Sequence, residues 1–241
     1  MSWTTYLLLP LLLPLLCFYL LPATPTTPAM SNKTITLLIA HPDDEAMFFS
    51  PTLLCLAPSN RIQVLCLSTG DAAGLGAVRR TELIASAMTL GVRDSADVVV
   101  IDDPRMPDSM GTPWAPEVVA EYLARYAGDA DVVLTFDERG VSGHVNHVSL
   151  LHGAREFVRG KGVKLWTLTT VGVLRKYSSV LDVRATRAAG GLVFVSNWEG
   201  VRTAQRAMTD CHVSQMRWFR WGWIGLSRYM VVNDVREETV V

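Results

Sequence analysis

Thr34-Ile35-Thr36-Leu37-Leu38-Ile39-Ala40-His41-Pro42-Asp43-Asp44-Glu45 is the stretch on which the fold of this 241-residue chain turns. Its first part, uncharged and rich in β-branched and apolar residues, reads as a strand buried on both faces. An imidazole and three acids follow at once, where a strand of a parallel sheet hands over to a helix. In open α/β sheets the working residues gather at such carboxyl ends.

Working outward, short apolar runs alternate with helical patterns, the signature of βαβ units. Strands are expected at Thr34–Ala40, Ile62–Ser68, Asp97–Ile101, Val132–Phe136, Leu165–Val171 and Leu192–Val195. Helices are expected at Asp44–Leu56, Arg79–Leu90, Pro116–Tyr126 and His147–Arg159, with Gly91 as the residue that ends the second. The fold class is α/β: a Rossmann-like, three-layer α/β/α arrangement with a mainly parallel sheet, preceded by one N-terminal membrane helix.

That helix comes from residues 6–21, all apolar or proline, with Trp3, Tyr6 and Tyr19 at the edges where interfacial aromatics belong. No Lys or Arg precedes the run and no small-x-small cleavage site follows it, which favours a retained anchor over a cleaved signal peptide. The domain plan is therefore an anchor over 1–23, a Pro/Thr linker over 24–33 and one catalytic domain over 34–241. Lys33 and Arg61 lie beyond the span, placing the domain in the cytosol. The four scattered cysteines, which suit a reducing compartment, agree with this. A net charge of −1 with no basic, aromatic-laced run excludes nucleic acid as a partner.

His41 and Asp44, three apart at a strand-to-helix turn, can converge on one cation, and Zn²⁺ accepts such an N/O set. Asp43 between them is then free to act as a general base. The competing reading is a helix start, in which Asp43 and Asp44 merely favour the helix dipole. Three acids in a row exceed what capping needs. His144 and His147 share one side of a later helical turn, so one can complete a three-ligand site while the other faces the substrate.

Taken together, Ala40 to Glu45, the run Gly70-Asp71-x-x-Gly74-x-Gly76-x-x-Arg79-Arg80-x-Glu82, and Gly140-Val141-Ser142-Gly143-His144-x-x-His147 resemble the PIG-L/LmbE-type zinc deacetylases. His212-x-Ser214-Gln215 and Ser227-Arg228-Tyr229 narrow the resemblance to the membrane branch that acts on a phosphatidylinositol glycolipid. It implies removal of acetyl from an N-acetylglucosamine unit in GPI-anchor biosynthesis, at the endoplasmic reticulum membrane. By the same resemblance His41, Asp44 and His147 hold the Zn²⁺ (or another divalent first-row metal), Asp43 is the base, and His144 supports the oxyanion. Arg79, Arg80 and Glu82 fall in a substrate-binding stretch. Val145 departs from the proline usual between the histidines, and Ser142 from the tyrosine of soluble bacterial relatives. A deacetylase of a soluble amino sugar and a non-catalytic glycolipid-binding subunit stay open as alternatives. The aromatic, basic tail from Trp218 to Tyr229 suits either a membrane-interface segment or a final core helix.

Overall fold

The computed structural model describes residues 30–240, so the expected anchor over 1–23 and most of the linker lie outside the described residues. Among the described residues no helix is long and apolar enough to cross a membrane.

The strands are β1 (Thr34–Ile39), β2 (Arg61–Cys66), β3 (Val98–Val100), β4 (Val132–Phe136), β5 (Lys164–Leu168), β6 (Leu192–Val195) and β7 (Val232–Glu237). They form one seven-stranded sheet in the order β3-β2-β1-β4-β5-β7-β6. β1 pairs in parallel with β2 and with β4, in the register Ile39↔Cys66 on one side and Leu37↔Leu134 on the other. β2–β3 and β4–β5 are also parallel, whereas β7 runs antiparallel to both β5 and β6. The sheet is thus mainly parallel, as expected, with an antiparallel strand the sequence pattern conceals.

The helices between them are α1 (Asp44–Phe48), α2 (Ser50–Leu56), α3 (Gly76–Thr89), α4 (Pro116–Tyr126), α5 (Val145–Val158), α6 (Val173–Lys176), α7 (Asp182–Ala188), α8 (Trp198–Arg206) and α9 (Trp218–Leu226). The single helix expected over Asp44–Leu56 is two: the path breaks at Phe49 (φ −112°, ψ 1°), with Pro51 in the first turn of α2. Proline has no N–H to give a continuing helix and is at home in a first turn. α5 begins at Val145, so His144 is its N-cap residue and stands outside the helix rather than on its side.

Strand β1 is sealed on both sides: Leu37, Leu38, Ile39 and Ala40 are wholly buried, as are Leu134 and Phe136 of β4. α4 and α5 approach so closely that a Cβ on Gly153 would lie 2.2 Å from the Val119 Cβ and 3.0 Å from the Pro116 carbonyl oxygen. Backbone cannot yield as a side-chain tip can, so Gly153→Val is expected to cost about 1–3 kcal/mol or more by overpacking. A lowered thermal midpoint would register it; an unchanged midpoint would mean the two helices separate freely.

The strand order reverses between β1 and β4: from β1 the chain steps to β2 on one side, and from β4 to β5 on the other. A crevice opens outside their carboxyl ends at such a switch point. The loops after β1 and β4 carry His41–Glu45 and Gly140–His147.

Candidate metal centre and active site

The turn after β1 is tied by Asp44. Its Oδ2 accepts from the backbone N–H groups of Ala40 (3.1 Å) and His41 (2.9 Å), leaving Oδ1 to face β4, 3.2 Å from His147 Nε2. His41 Nδ1 lies 3.8 Å from the same carboxylate. One potential ligand atom from each of His41, Asp44 and His147 falls within 4.8 Å of the others, and all three residues are buried.

His147 shows which of its nitrogens is available. Nδ1 donates to the Gly140 carbonyl at 3.0 Å, so Nε2 carries the lone pair. That Nε2 is buried without a hydrogen-bond partner among the described residues. A carbonyl on one ring nitrogen and an open lone pair on the other is the arrangement of a metal-ligating histidine. The ring also stacks on Phe136, 4.0 Å between centroids and 4° from coplanar. Gly140 is in the left-handed region (φ +55°), and a Cβ there would meet the His147 Cβ at 2.9 Å. Only glycine lets the carbonyl reach the ring.

Burial opposes ionisation of Asp44, yet the adjacent His147 and His41, with the His41 backbone N–H, hold its carboxyl well below the usual range. Burial likewise works against a charged His41, but the hydrogen bond to Asp108 and the charges of Asp44, Asp108 and Asp43 raise its pKa. With Asp43 held by Arg79 and Arg220, the carboxylates of Asp44 and Asp108 beside the imidazoles are the ones that a divalent cation would neutralise.

Asp43 occupies the N-cap position of α1 but makes no side-chain capping bond, so a capping hydrogen bond does not account for this acid. Its backbone sits at φ +118°, a rare conformation for a residue with a Cβ and a common mark of functional sites. Two arginines hold the buried carboxylate: Arg220 Nη2 donates to Oδ2 at 2.9 Å, and Arg79 Nη2 stands 3.6 Å away. The Asp43 N–H donates to Glu45 Oε2 at 3.2 Å. Glu45, fully buried, also accepts from the Ser86 hydroxyl and pairs through Oε1 with His212 Nε2 at 2.6 Å. The fold makes Glu45 the bracket between the first loop and residue 212.

His144 is half-buried, its ring 4.7 Å from His41 and 4.8 Å from His147. Its Nδ1 accepts from the Asn146 N–H at 3.2 Å, which leaves a proton on Nε2. Burial, and after it the charges of His41 and His147, push its pKa down to about 4. Neutral His144 therefore persists through the physiological range and offers an N–H donor.

A pocket of about 390 Å³ joins these groups, with Phe48, Arg79, Phe219, Arg220 and Trp223 among its walls. Of the arginine–glutamate stretch, Arg79 alone reaches it. Arg79 is buried and donates to the Gly70 carbonyl at 2.7 Å and to that of Pro42, clamping the loops after β1 and β2. Arg80 is exposed and does not line the pocket. Glu82 is used elsewhere, accepting from the Ser214 N–H and hydroxyl at 2.7 and 2.6 Å. Sequence reasoning missed Asp108, whose Oδ1 lies 3.2 Å from His41 Nε2 and which with His41 and His144 makes a second possible ligand group. Its signal was available: it sits in the loop after β3, on the same rim as the others.

With this geometry in place, comparison with known proteins is informative. The family model described as PIG-L: GlcNAc-PI de-N-acetylase matches residues 36–158. A curated N-acetylglucosaminyl-phosphatidylinositol de-N-acetylase of Arthroderma benhamiae is 39% identical, over 88% of this chain and 89% of that protein. The Bos taurus protein of the same name is 40% identical, over 86% and 84% respectively. Among solved structures, the N,N'-diacetylchitobiose deacetylase of Pyrococcus horikoshii has the same fold, with a TM-score of 0.63 at 15% identity over 99% of this chain and 93% of that one.

Proposed function

The chain belongs to the PIG-L family of GlcNAc-PI de-N-acetylases, and from that membership we infer that its pocket hydrolyses the acetamide of N-acetylglucosaminyl-phosphatidylinositol. The products are acetate and glucosaminyl-phosphatidylinositol, an early step of GPI-anchor biosynthesis. The protein is an amide hydrolase. The observation that best supports the site is the buried His41, Asp44 and His147 group with an open lone pair on His147 Nε2.

Those three residues fit a divalent ion, and Zn²⁺ suits two imidazoles and a carboxylate. The same donors would accept other first-row ions. An ion held there supplies Lewis acidity, lowering the pKa of a water and polarising the amide carbonyl. Asp43 provides the proton path: Arg220 occupies Oδ2, and Oδ1 takes a proton from the attacking water and returns it to the sugar nitrogen as the C–N bond breaks. Neutral His144, with its proton on Nε2, donates to the oxygen that becomes anionic at the acetyl carbon. Arg79 stands 3.6 Å from the same Oδ2 and lines the sugar's pocket. Arg80 and Glu82 have no part in this assignment.

The domain plan completes the reading. Residues 1–23 act as a retained anchor and 24–33 as a tether, holding the catalytic domain (34–241) on the cytosolic face of the endoplasmic reticulum membrane. The linker need only be short, because the substrate is itself in the bilayer.

The direct test is conversion of radiolabelled N-acetylglucosaminyl-phosphatidylinositol to its free amine by microsomes containing the protein. A strong chelator is expected to abolish conversion and added Zn²⁺ to restore it. Conversion untouched by a chelator that has stripped the metal would exclude metal-assisted hydrolysis. No conversion by a metal-loaded protein would exclude the deacetylase.

A further inference from the structure

Beside the pocket lies a second concavity that amide hydrolysis does not use. It is a groove of about 390 Å³ lined by Tyr177, Val180, Leu181, Ile224, Leu226 and Val231, apolar along most of its wall. Tyr177 lines both the groove and the catalytic pocket. Helix α9 serves both as well, giving Phe219, Arg220 and Trp223 to the pocket and Ile224 and Leu226 to the groove. The two concavities are therefore neighbours with a shared wall, stiffened by an edge-to-face contact of Tyr177 with Trp223 at 5.9 Å.

The rim around them is unusually apolar for a surface. Leu174 is 90% exposed, Trp218 87%, Leu181 63% and Trp221 59%. Its charge is one-sided. Residues 172–191 and 213–231 carry Arg175, Lys176, Arg184, Arg187, Arg217, the pocket's Arg220 and the buried Arg228, and their single acid, Asp182, is buried against Arg175 and Arg228. No carboxylate lies within ion-pair distance of Arg184, Arg187 or Arg217 among the described residues. Tryptophan and leucine interleaved with unpaired arginine is the chemistry of the lipid headgroup layer, where apolar rings sink and cations meet phosphate.

We propose that this face, built from α6, the turn at Ser179–Leu181 and α9, docks on an anionic phospholipid surface, and that the groove takes up an acyl chain of the glycolipid while its sugar occupies the pocket. This rests on the glycolipid deacetylase reading. It adds that the lipid half of the substrate has its own site on this chain. The shared wall accounts for how one molecule reaches both places: the sugar and the glycerolipid leave the phosphate in different directions, on either side of α9.

The test uses the full chain in phosphatidylcholine vesicles, with and without phosphatidylserine, against two substrates: the glycolipid in the bilayer and its acyl-free N-acetylglucosaminyl-inositol phosphate in solution. The variant is Leu174→Ser/Trp218→Ser/Trp221→Ser, all at exposed positions outside the pocket. Its turnover of the glycolipid is expected to fall about tenfold or more, through KM. Its action on the acyl-free compound stays at the wild-type level. Phosphatidylserine should stimulate the wild type on the glycolipid and the variant far less.

Wild-type protein that hydrolyses neither compound would overturn the deacetylase reading and this inference with it. Wild-type activity on both, with the variant unimpaired on the glycolipid or equally impaired on both compounds, would overturn the docking face alone. A nitroxide on Leu226→Cys, in a Cys17→Ser/Cys211→Ser background, separates the possible occupants of the groove. Collisions with oxygen in preference to a nickel chelate place it among acyl chains. Preference for the chelate, or shielding from both by the apolar N-terminal stretch, a second copy or another protein, would overturn the assignment.

Discussion

Asparagine in place of Asp43 will lower turnover of the glycolipid by about a hundred- to ten-thousand-fold while the divalent ion stays bound. The substitution isolates the chemistry. Asn tolerates the left-handed region better than other residues with a Cβ, so the φ of +118° is preserved at small cost. Its amide oxygen can still accept from Arg220, which donates to Asp43 Oδ2 at 2.9 Å in the native protein. What it cannot do is take up a proton. Asp43→Ala would be a poorer experiment, since it removes the carboxylate that the partly buried Arg220 and the buried Arg79 face and confounds lost catalysis with lost packing. Elemental analysis of the purified variant, beside its kcat, makes the distinction. An Asp43→Asn protein that is metal-loaded and fully active would end the assignment of this residue as the base.

Loss of the ion itself is the expected result of His147→Ala. The imidazole contributes the only group of the three whose outward nitrogen is buried with no hydrogen-bond partner among the described residues. Removing an outer partner of a metal ligand commonly weakens binding ten- to hundredfold, so removing a ligand should weaken it by at least about 100-fold. Competition against a chromophoric chelator measures this, and catalysis should fall in parallel and return in part at high metal concentration. The variant also forfeits the stack on Phe136 and leaves the Gly140 carbonyl unpaired, so its apo form will be less stable than the wild-type apo form. Asp44→Asn provides an independent reading: it keeps the backbone contacts of the turn but discards the charge. Unchanged metal affinity in both variants would move the ion to the neighbouring group of His41, Asp108 and His144.

How much of this could be read from the chain depends on whether a residue's partner is near it in sequence. β1, β4 and β6 appear at or within a residue of their expected bounds because strands covered on both faces are continuous apolar runs. His41, Asp43 and Asp44 were legible for a similar reason: an acidic cluster directly after such a run is conspicuous. β7 was not. Its Val-Asn-Asp-Val-Arg-Glu pattern looks like a surface segment until Asn233 meets Thr52, 2.8 Å away, and Asp234 meets the buried Arg228 at the same distance. Polar residues satisfied by distant partners carry no local pattern. The same holds for Glu45 and His212, which are 167 residues apart and 2.6 Å from each other. Arg79 and Arg80 show the converse, in which a motif places two arginines side by side and a helix sends one to the pocket and the other to the surface.

The position of β7 has a consequence for synthesis. β7 follows β5 and β6 in the chain yet lies between them, so those two cannot be bridged until residues 232–237 have been made. His212 and Arg220, which brace Glu45 and Asp43, are made nearly as late. A nascent chain long enough to contain every candidate metal ligand therefore still has two unpaired sheet edges and an unbraced base. A chain that stops before residue 232 would lack the strand that bridges β5 and β6 although it holds every candidate metal ligand.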